Sequence, residues 1–191
     1  MITESVVSEH LEALRVDLAY HQTRVLLLVT AVASEAGHSR KLDGLTKLAK
    51  LDFLTRYPAL APNVLEALDA DDSRLHIENG GELSPTDVEA PMVRYKYGPW
   101  DDRYYPIIGA LVGRGLLRYA KGRRGSLALI PTSFGRKVAV GIGDTNEWAD
   151  VNDRCHAIAQ TSVGLSGTKL KDLIYANLAS LMDRPYRELI K

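Results

Sequence analysis

The amino-acid sequence predicts a mainly α (α+β) protein, and three observations support this fold class. Apolar residues recur at heptad spacing over the first 36 residues, and further helix-length amphipathic segments follow. A single pair of short β-type runs flanks a glycine-bounded basic turn. Hydrophobic residues make up 46% of the 191 residues, which is ordinary for a globular chain able to build its own core.

The N-terminal segment, residues 1–36, is predicted to be helical because its apolar seam alternates spacings of four and three residues. The seam residues are Val7, Leu11, Leu14, Leu18, His21, Val25, Leu28 and Val32. The seam fits two interpretations: packing on the protein's own core, or contact with a partner or a second copy in a homodimer. Leu11, Leu14, Leu18 and His21 are therefore candidate protein-interaction residues.

Two shorter helices are expected next, over residues 43–58 and around 63–69. Pro58 ends the first because proline cannot continue the helical hydrogen bonds. Residues 71–92 are acidic and punctuated by glycine and proline, which indicates a surface excursion. At its end, "MVRYKY" alternates apolar and basic side chains and is interpreted as a short strand or extended segment.

A third helix is predicted from about residue 103 to 114, directly after Gly98-Pro99. Asp101 or Asp102 is the expected N-cap region, and Gly113 or Gly115 the expected end. "LLRYA" and "SLALIP" then flank "KGRRG" as a β-hairpin, and a helix over "SFGRKVAVGI" follows. Three helices followed by a two-stranded wing are the order of elements in a winged-helix domain. Residues 37–142 are therefore predicted to form a winged-helix core.

Residues 143–191 are predicted to add a C-terminal extension of two helices. The first is expected to begin at Asp144 or Thr145, and Pro185 to end the second. The second helix carries an apolar stripe that predicts a docking face against the winged-helix domain or against a partner. The stripe consists of Leu170, Leu173, Ile174, Asn177 and Leu181.

No motif in the chain predicts catalysis or a cofactor. A phosphate-binding loop and a G-x-S-x-G nucleophile elbow are both missing, and the histidines are scattered, so we expect a non-catalytic protein without metal or cofactor. Cys155 is the single cysteine, which suits a cytoplasmic location. The longest apolar run, 25–33, is about nine residues and too short to cross a membrane.

The basic residues of the wing are candidate contacts to the DNA backbone, without sequence preference. Lys121, Arg123 and Arg124 lie in the turn, and Arg94 and Lys96 extend the candidate surface. The chain nevertheless has 24 basic and 24 acidic residues, and charge at a hairpin tip also serves solubility. Two aspartates at the start of the third helix further argue against recognition of base edges, so the expected DNA contact is with non-specific double-stranded DNA.

The stretch "RYKYGPW" and the following turn contain a cluster of aromatic side chains. Tyr97, Trp100 and Tyr104 are candidate protein-interaction anchors, because tyrosine and tryptophan often carry the binding energy of interfaces. The alternative is that these rings close the core of the domain.

Four sequence blocks together resemble a known protein family. They are "LTKLAKLDFLTRYP", "MVRYKYGPWDDRYYPIIGALVGRGLL", "LIPTSFGRKVA" and "LKDLIYANL", which span about residues 42–178. The combination resembles the middle component of bacterial ABC-three-component defence systems, the SMC-associated, Lamassu-like systems that act against phages and plasmids. The matching positions are Lys50, Asp52, Arg56, Tyr97, Gly98, Pro99, Trp100 and Asp101.

The resemblance implies a non-catalytic accessory subunit that bridges an SMC-like coiled-coil ATPase and an effector nuclease, with DNA-backbone contact as an added role. The alternative function is a DNA-binding winged-helix transcriptional regulator, which the basic wing suggests. The resemblance supplies no catalytic motif, and it leaves the individual roles of the eight matching residues open.

Overall fold

A computed structural model describes residues 17–77 and 91–190 of the chain. Within these ranges the fold is mixed α/β with eight helices and two small antiparallel sheets, which confirms the mainly helical prediction. The helices are α1 Leu18–Ser34, α2 Leu45–Arg56, α3 Ala61–Val64, α4 Tyr104–Gly113, α5 Ser133–Gly143, α6 Ala149–Thr161, α7 Gly167–Asn177 and α8 Ala179–Met182. The strands are β1 Leu42–Asp43, β2 Met92–Tyr95, β3 Gly98–Trp100, β4 Leu117–Lys121, β5 Leu127–Pro131 and β6 Leu189–Ile190.

The first sheet has the strand order β1-β5-β4 and contains the predicted hairpin. Its third strand, β1, was not predicted, because two residues show no periodicity. Leu42 of β1 pairs with Leu129, and the Asp43 carboxylate accepts hydrogen bonds from the Arg123 backbone amide at 3.0 Å and the Ser126 hydroxyl at 3.1 Å. These bonds fix the basic hairpin tip to the strand between α1 and α2.

The second sheet has the order β3-β2-β6 and includes the predicted strand "MVRY". Lys96 and Tyr97 connect β2 to β3, and Tyr95 pairs with Gly98. The φ angle of Gly98 is 91°, which is strained for any residue with a Cβ, so glycine suits this tight connection. The C-terminal strand β6 pairs with β2 and thereby ties the end of the chain to the aromatic segment.

Helix α2 is the central element of the core. All of its residues from Lys47 to Arg56 are buried, including its charged side chains. Val25, Leu28 and Val32 of α1 are completely buried in the same core, so this half of the heptad seam packs internally. Within the described residues the seam begins at Leu18, which is 37% exposed; Leu11 and Leu14 lie outside them.

One hydrophobic core draws side chains from all three predicted segments, for example Leu28 of α1, Leu51 of α2 and Ile158 of α6. The side chains of Leu170 and Ile174 complete it from α7, as the predicted docking stripe suggested. The Thr132 hydroxyl caps α5 by accepting from the Gly135 amide at 2.9 Å.

Three predicted helix boundaries are wrong. The helix expected around 63–69 is one turn, Ala61–Val64, after which the backbone becomes extended at Leu65. Helix α6 begins at Ala149, because Asp144 and Thr145 lie in a turn between two helices. Helix α7 ends at Asn177, well before Pro185, because the non-helical φ and ψ of Leu178 separate it from α8.

In the described ranges, 17–77 and 91–190, we find no helix with the length and apolar character to cross a bilayer. Of the predicted surface excursion, residues 71–92, the central part, 78–90, lies outside the described residues. At its two ends, the side chains of Leu75 and Met92 are buried in the core.

Candidate functional site

A buried ionic cluster joins the first helices to the start of α4. Asp52 projects from α2 and accepts hydrogen bonds from Arg24 Nε at 2.7 Å, from Arg56 Nη2 at 2.7 Å and from the Tyr104 hydroxyl at 2.7 Å. All four side chains are fully buried. Burial alone would raise the pKa of the Asp52 carboxyl, but the guanidinium charges of Arg24 and Arg56 outweigh it and hold that pKa well below its usual range.

The cluster continues to the segment that precedes α4. Asp101 accepts from Arg56 Nη2 at 2.8 Å and from Arg103 Nη2 at 2.7 Å, and Arg103 Nη1 lies 2.7 Å from His21 Nε2. Burial would raise the pKa of Asp101, but the hydrogen bond from Arg103 and the charge of Arg56 lower it. The expected N-cap role of Asp101 or Asp102 is therefore corrected: α4 begins at Tyr104, and Asp101 turns into the interior.

This cluster has a structural role rather than a catalytic one. Both carboxylates are ionised and accept charge-assisted hydrogen bonds on each oxygen, and the Asp52 carboxylate is sealed from solvent. A general acid or base needs a pKa near the working pH and access to its substrate, and Asp52 has neither. Its geometry fixes the relative positions of α1, α2 and the start of α4.

An aromatic cleft lies beside the ionic cluster, on the other side of the "GPW" strand. Its volume is about 380 Å³, within the range of small-ligand and peptide pockets. Trp100 lies at its centre, with ring centroids 6.1 Å from Tyr95, 5.3 Å from Tyr104 and 6.3 Å from Tyr105. The lining residues are Leu45, Thr46, Lys50, Tyr95, Tyr97, Gly98, Trp100, Asp102, Tyr105 and Arg187.

Lys50 forms the floor of the cleft and is only 1% exposed. Its Nζ donates a 3.0 Å hydrogen bond to the Pro99 carbonyl, which is its one hydrogen-bond partner among the described residues. Burial lowers the pKa of the Lys50 ammonium to about 7, and the charges of Lys171 and Arg94 add to the effect. Gly98 lines the cleft and lies next to this amine, since a Cβ built at Gly98 would be 3.5 Å from Lys50 Nζ.

The charged side chains near Lys50 and on the lining of the cleft have partners of their own. Arg187 Nη2 donates to Asp102 at 2.7 Å, and Lys171 lies 3.0 Å from Asp172. Arg94 lies between the rings of Tyr175 and Tyr186 and donates to backbone carbonyls. Like Arg94, Lys50 forms no salt bridge with a described carboxylate, but Arg94 has two rings and two carbonyl oxygens as partners, whereas Lys50 has one carbonyl oxygen among the described residues.

The structure sorts the predicted interaction residues into two groups. Tyr97 and Trp100 line the cleft, and Tyr97 is 52% exposed. His21 and Tyr104 are fully buried in the ionic cluster, so their prediction as direct partner contacts does not fit the folded chain. The reason is that the seam around His21 faces α2 and α4 rather than solvent.

The predicted DNA-backbone residues are also divided. Lys121, Arg123 and Arg124 are exposed at the hairpin tip, and Lys96 is exposed at the β2–β3 connection on the other sheet. Arg94 is buried, which corrects its prediction as a phosphate contact. Its charge is instead accommodated by two tyrosine rings and two carbonyl oxygens.

Sequence reasoning missed the chemistry of Lys50 and the contributions of Tyr105 and Arg187. Lys50 lies beside Gly98 and donates to the Pro99 carbonyl, and both residues are distant from it in sequence. Residues of two of the quoted sequence blocks meet here. Lys50 contacts Pro99, and Arg56 contacts Asp101.

The single cysteine is buried in the core. Burial raises the pKa of the Cys155 thiol to about 12, so this cysteine is protected from thiolate chemistry at neutral pH. In the described ranges, no three histidine, cysteine, aspartate or glutamate side chains converge as a metal-binding group.

The lowered pKa of Lys50 predicts a pH-dependent stability difference between the wild type and Lys50→Met. Between about pH 7 and the usual lysine value of about 10.4 the unfolded chain binds the extra proton, so the wild type gains stability as pH rises. Lys50→Met lacks this gain. Urea unfolding at pH 7 and pH 10 measures the free energy of unfolding of both proteins. The value for Lys50→Met minus the value for the wild type should fall by a few kcal/mol between pH 7 and pH 10.

The exposed Lys96→Met variant is the control for that measurement, since its amine is not buried. If the free energies of unfolding of the wild type and Lys50→Met change with pH in parallel, the assignment of a buried, destabilised ammonium at position 50 is contradicted.

Comparison with known proteins found no matching family model, no matching curated protein and no matching solved structure.

Proposed function

We propose that this chain is a non-catalytic accessory subunit with a winged-helix core, which bridges an SMC-like ATPase and an effector nuclease in a bacterial defence complex. The observation that carries the proposal is the aromatic cleft, where Tyr97 and Tyr105 are 52% and 65% exposed around the central Trp100. Exposed aromatic rings around a pocket are typical of protein-interaction sites. The identity of the partners rests on the sequence resemblance.

The order of elements supports the winged-helix part of the proposal. Within residues 37–142, strand β1 and helices α2, α3 and α4 precede the β4–β5 hairpin, and β1 pairs with β5 to make a three-stranded sheet. The second sheet, β3-β2-β6, is an addition to that plan between α2 and α4 and at the C-terminus. The aromatic cleft lies in this addition, next to the helix in the recognition position.

The surface of α4 favours protein binding over reading DNA bases. The helix from Tyr104 to Gly113 contains no charged residue, and its exposed positions are Tyr105, Pro106, Gly109 and Gly113. A recognition helix needs polar or cationic side chains that reach base edges in the major groove. The transcriptional-regulator alternative is therefore supported only by the exposed basic tip of the hairpin.

The proposal predicts that a neighbouring gene encodes a coiled-coil ATPase, and that the tagged chain co-expressed with this ATPase purifies together with it. The double variant Tyr97→Ala/Tyr105→Ala should reduce ATPase recovery at least about tenfold, since the loss of two interface anchors typically costs more than 1.4 kcal/mol. Densitometry of the two bands after affinity purification measures the ratio.

Tyr119→Ala is the matched control, because Tyr119 is an exposed tyrosine on β4 and does not line the cleft. The circular dichroism spectra of all variants should coincide. If the wild-type chain purifies without the ATPase at both low and high salt, the proposed function is wrong.

A further inference from the structure

We propose that the aromatic cleft recognises a carboxylate side chain in an extended segment of a partner protein, with the Lys50 ammonium binding the carboxylate and the surrounding rings holding an adjacent apolar residue. This inference rests on the proposed function, because it names the surface and the chemistry through which the accessory subunit takes its partner. It makes Lys50 a ligand-binding residue of this chain.

The hydrogen bonding of Lys50 indicates an incomplete set of partners. An ammonium group has three donor hydrogens, and the described residues supply one acceptor, the Pro99 carbonyl at 3.0 Å. A lysine that is 1% exposed cannot satisfy the remaining donors with bulk water as a surface lysine does. Lys50 lines a cleft of about 380 Å³, so an acceptor bound in the cleft lies next to this side chain.

The charges around the amine favour an anionic acceptor. Lys171 and Arg94 both act on Lys50 as like charges, and no described carboxylate lies within salt-bridge distance of its Nζ. Asp102, the acidic residue that lines the cleft, is already bound to Arg187. An incoming carboxylate would therefore supply the counter-charge that the described residues do not provide, through a charge-assisted hydrogen bond.

The walls of the cleft specify what accompanies the carboxylate. Tyr97, Trp100 and Tyr105 offer apolar ring surface around the amine, and Leu45 adds an aliphatic contact. Such walls stabilise an apolar side chain by removing its surface from water. The recognised feature is therefore a glutamate or aspartate with an apolar neighbour, rather than a run of acidic residues.

A nucleic-acid strand fits the same cleft less well. Single-stranded nucleic acid binding combines stacking rings with a cationic groove that follows the phosphates. Here Asp102 lines the cleft, Arg187 and Lys171 are paired with carboxylates, and Arg94 is enclosed by two rings. The cations thus form no continuous track for a phosphate backbone.

The test uses the full-length protein and two peptide probes, acetyl-Leu-Glu-Leu-amide and acetyl-Leu-Gln-Leu-amide. Each is titrated into ¹⁵N-labelled protein while the Gly98 amide and the Trp100 indole N–H signals are followed. The glutamyl peptide should bind about tenfold more tightly than the glutaminyl peptide, because only the former offers a carboxylate. Lys50→Met should abolish the difference, and the control Lys96→Met, which removes an exposed amine near the cleft, should retain it.

Adenosine monophosphate is the third probe and represents phosphate attached to an aromatic body. Tighter binding of the nucleotide than of the glutamyl peptide would overturn the proposal in favour of a nucleotide site. Equal binding of the two peptides to the wild type, or a peptide preference that survives Lys50→Met, would also overturn it.

Failure of this inference and failure of the proposed function give different results. If the ATPase purifies with the wild type and Lys50→Met alike while the peptides bind equally, the partner docks without a carboxylate on Lys50 and only this inference is lost. If the glutamyl peptide is preferred but the ATPase is never recovered, the carboxylate site stands and the assigned partner is wrong.

Discussion

Asp52→Asn is expected to lower the free energy of unfolding by about 3–5 kcal/mol, because it leaves buried arginines without their shared counter-charge. In the folded chain, Arg24 and Arg56 both donate to this carboxylate at 2.7 Å, and all three side chains are fully buried. Asparagine keeps the shape but offers one oxygen and no charge. Urea unfolding followed by circular dichroism measures the difference.

Asp102→Asn provides the matched control, since it removes a carboxylate that is also paired with one arginine but is exposed. The expected change is within about 1 kcal/mol, as for other surface ion pairs. If Asp52→Asn gives no folded protein, Tyr104→Phe tests the same cluster mildly by removing one hydrogen bond to Asp52, with an expected loss of about 1–2 kcal/mol. Equal stability of the Asp52 and Asp102 variants would show that the buried cluster does not stabilise the fold.

Gly135→Ala is expected to lower the free energy of unfolding by about 3 kcal/mol or more, because α5 packs directly against the backbone at the base of the hairpin. A Cβ at position 135 would overlap the Leu116 carbonyl oxygen and lie 2.8 Å from its carbonyl carbon. That oxygen also accepts a hydrogen bond from the Thr132 amide at 3.0 Å, so the backbone cannot shift without breaking the cap region of α5. Thermal unfolding should show a correspondingly lower Tm.

Gly141→Ala on the same helix is the control, because a Cβ there meets nothing within 4 Å. This change should be neutral or stabilise the chain by up to about 1 kcal/mol, as alanine favours helix over glycine. A Gly135→Ala protein as stable as the Gly141→Ala protein would mean that α5 does not lie against Leu116 as described.

Both stability predictions concern residues whose roles depend on distant elements, whereas much of the secondary structure was predictable locally. The hairpin was correctly predicted from "KGRRG" and its flanking runs. Boundaries were less accurate where the helix ended through backbone geometry instead of a proline or glycine, as at Leu178. The two-residue strand β1 gave no periodic signal at all.

The candidate site was only half predictable. Tyr97 and Trp100 were named as interaction anchors from residue type, and both line the cleft. Tyr104 and His21 were named for the same function, yet they contact Asp52 and Arg103 in the interior. Neighbouring aromatic residues such as Tyr104 and Tyr105 look alike in sequence, and only the direction of α4 separates the buried ring from the exposed one.

The sequence by itself determined the mainly helical class, the hairpin and an aromatic segment next to an uncharged helix, because periodicity, turn chemistry and composition are properties of neighbouring residues. The tertiary structure alone decided which charges lie inside. Asp52, Asp101 and Arg94 can be buried only because partners from other helices, strands and the C-terminal segment meet them there. Lys50 is also buried, but among the described residues its amine has one carbonyl partner and no carboxylate. For that reason Lys50 is the described residue that most directly suggests a ligand.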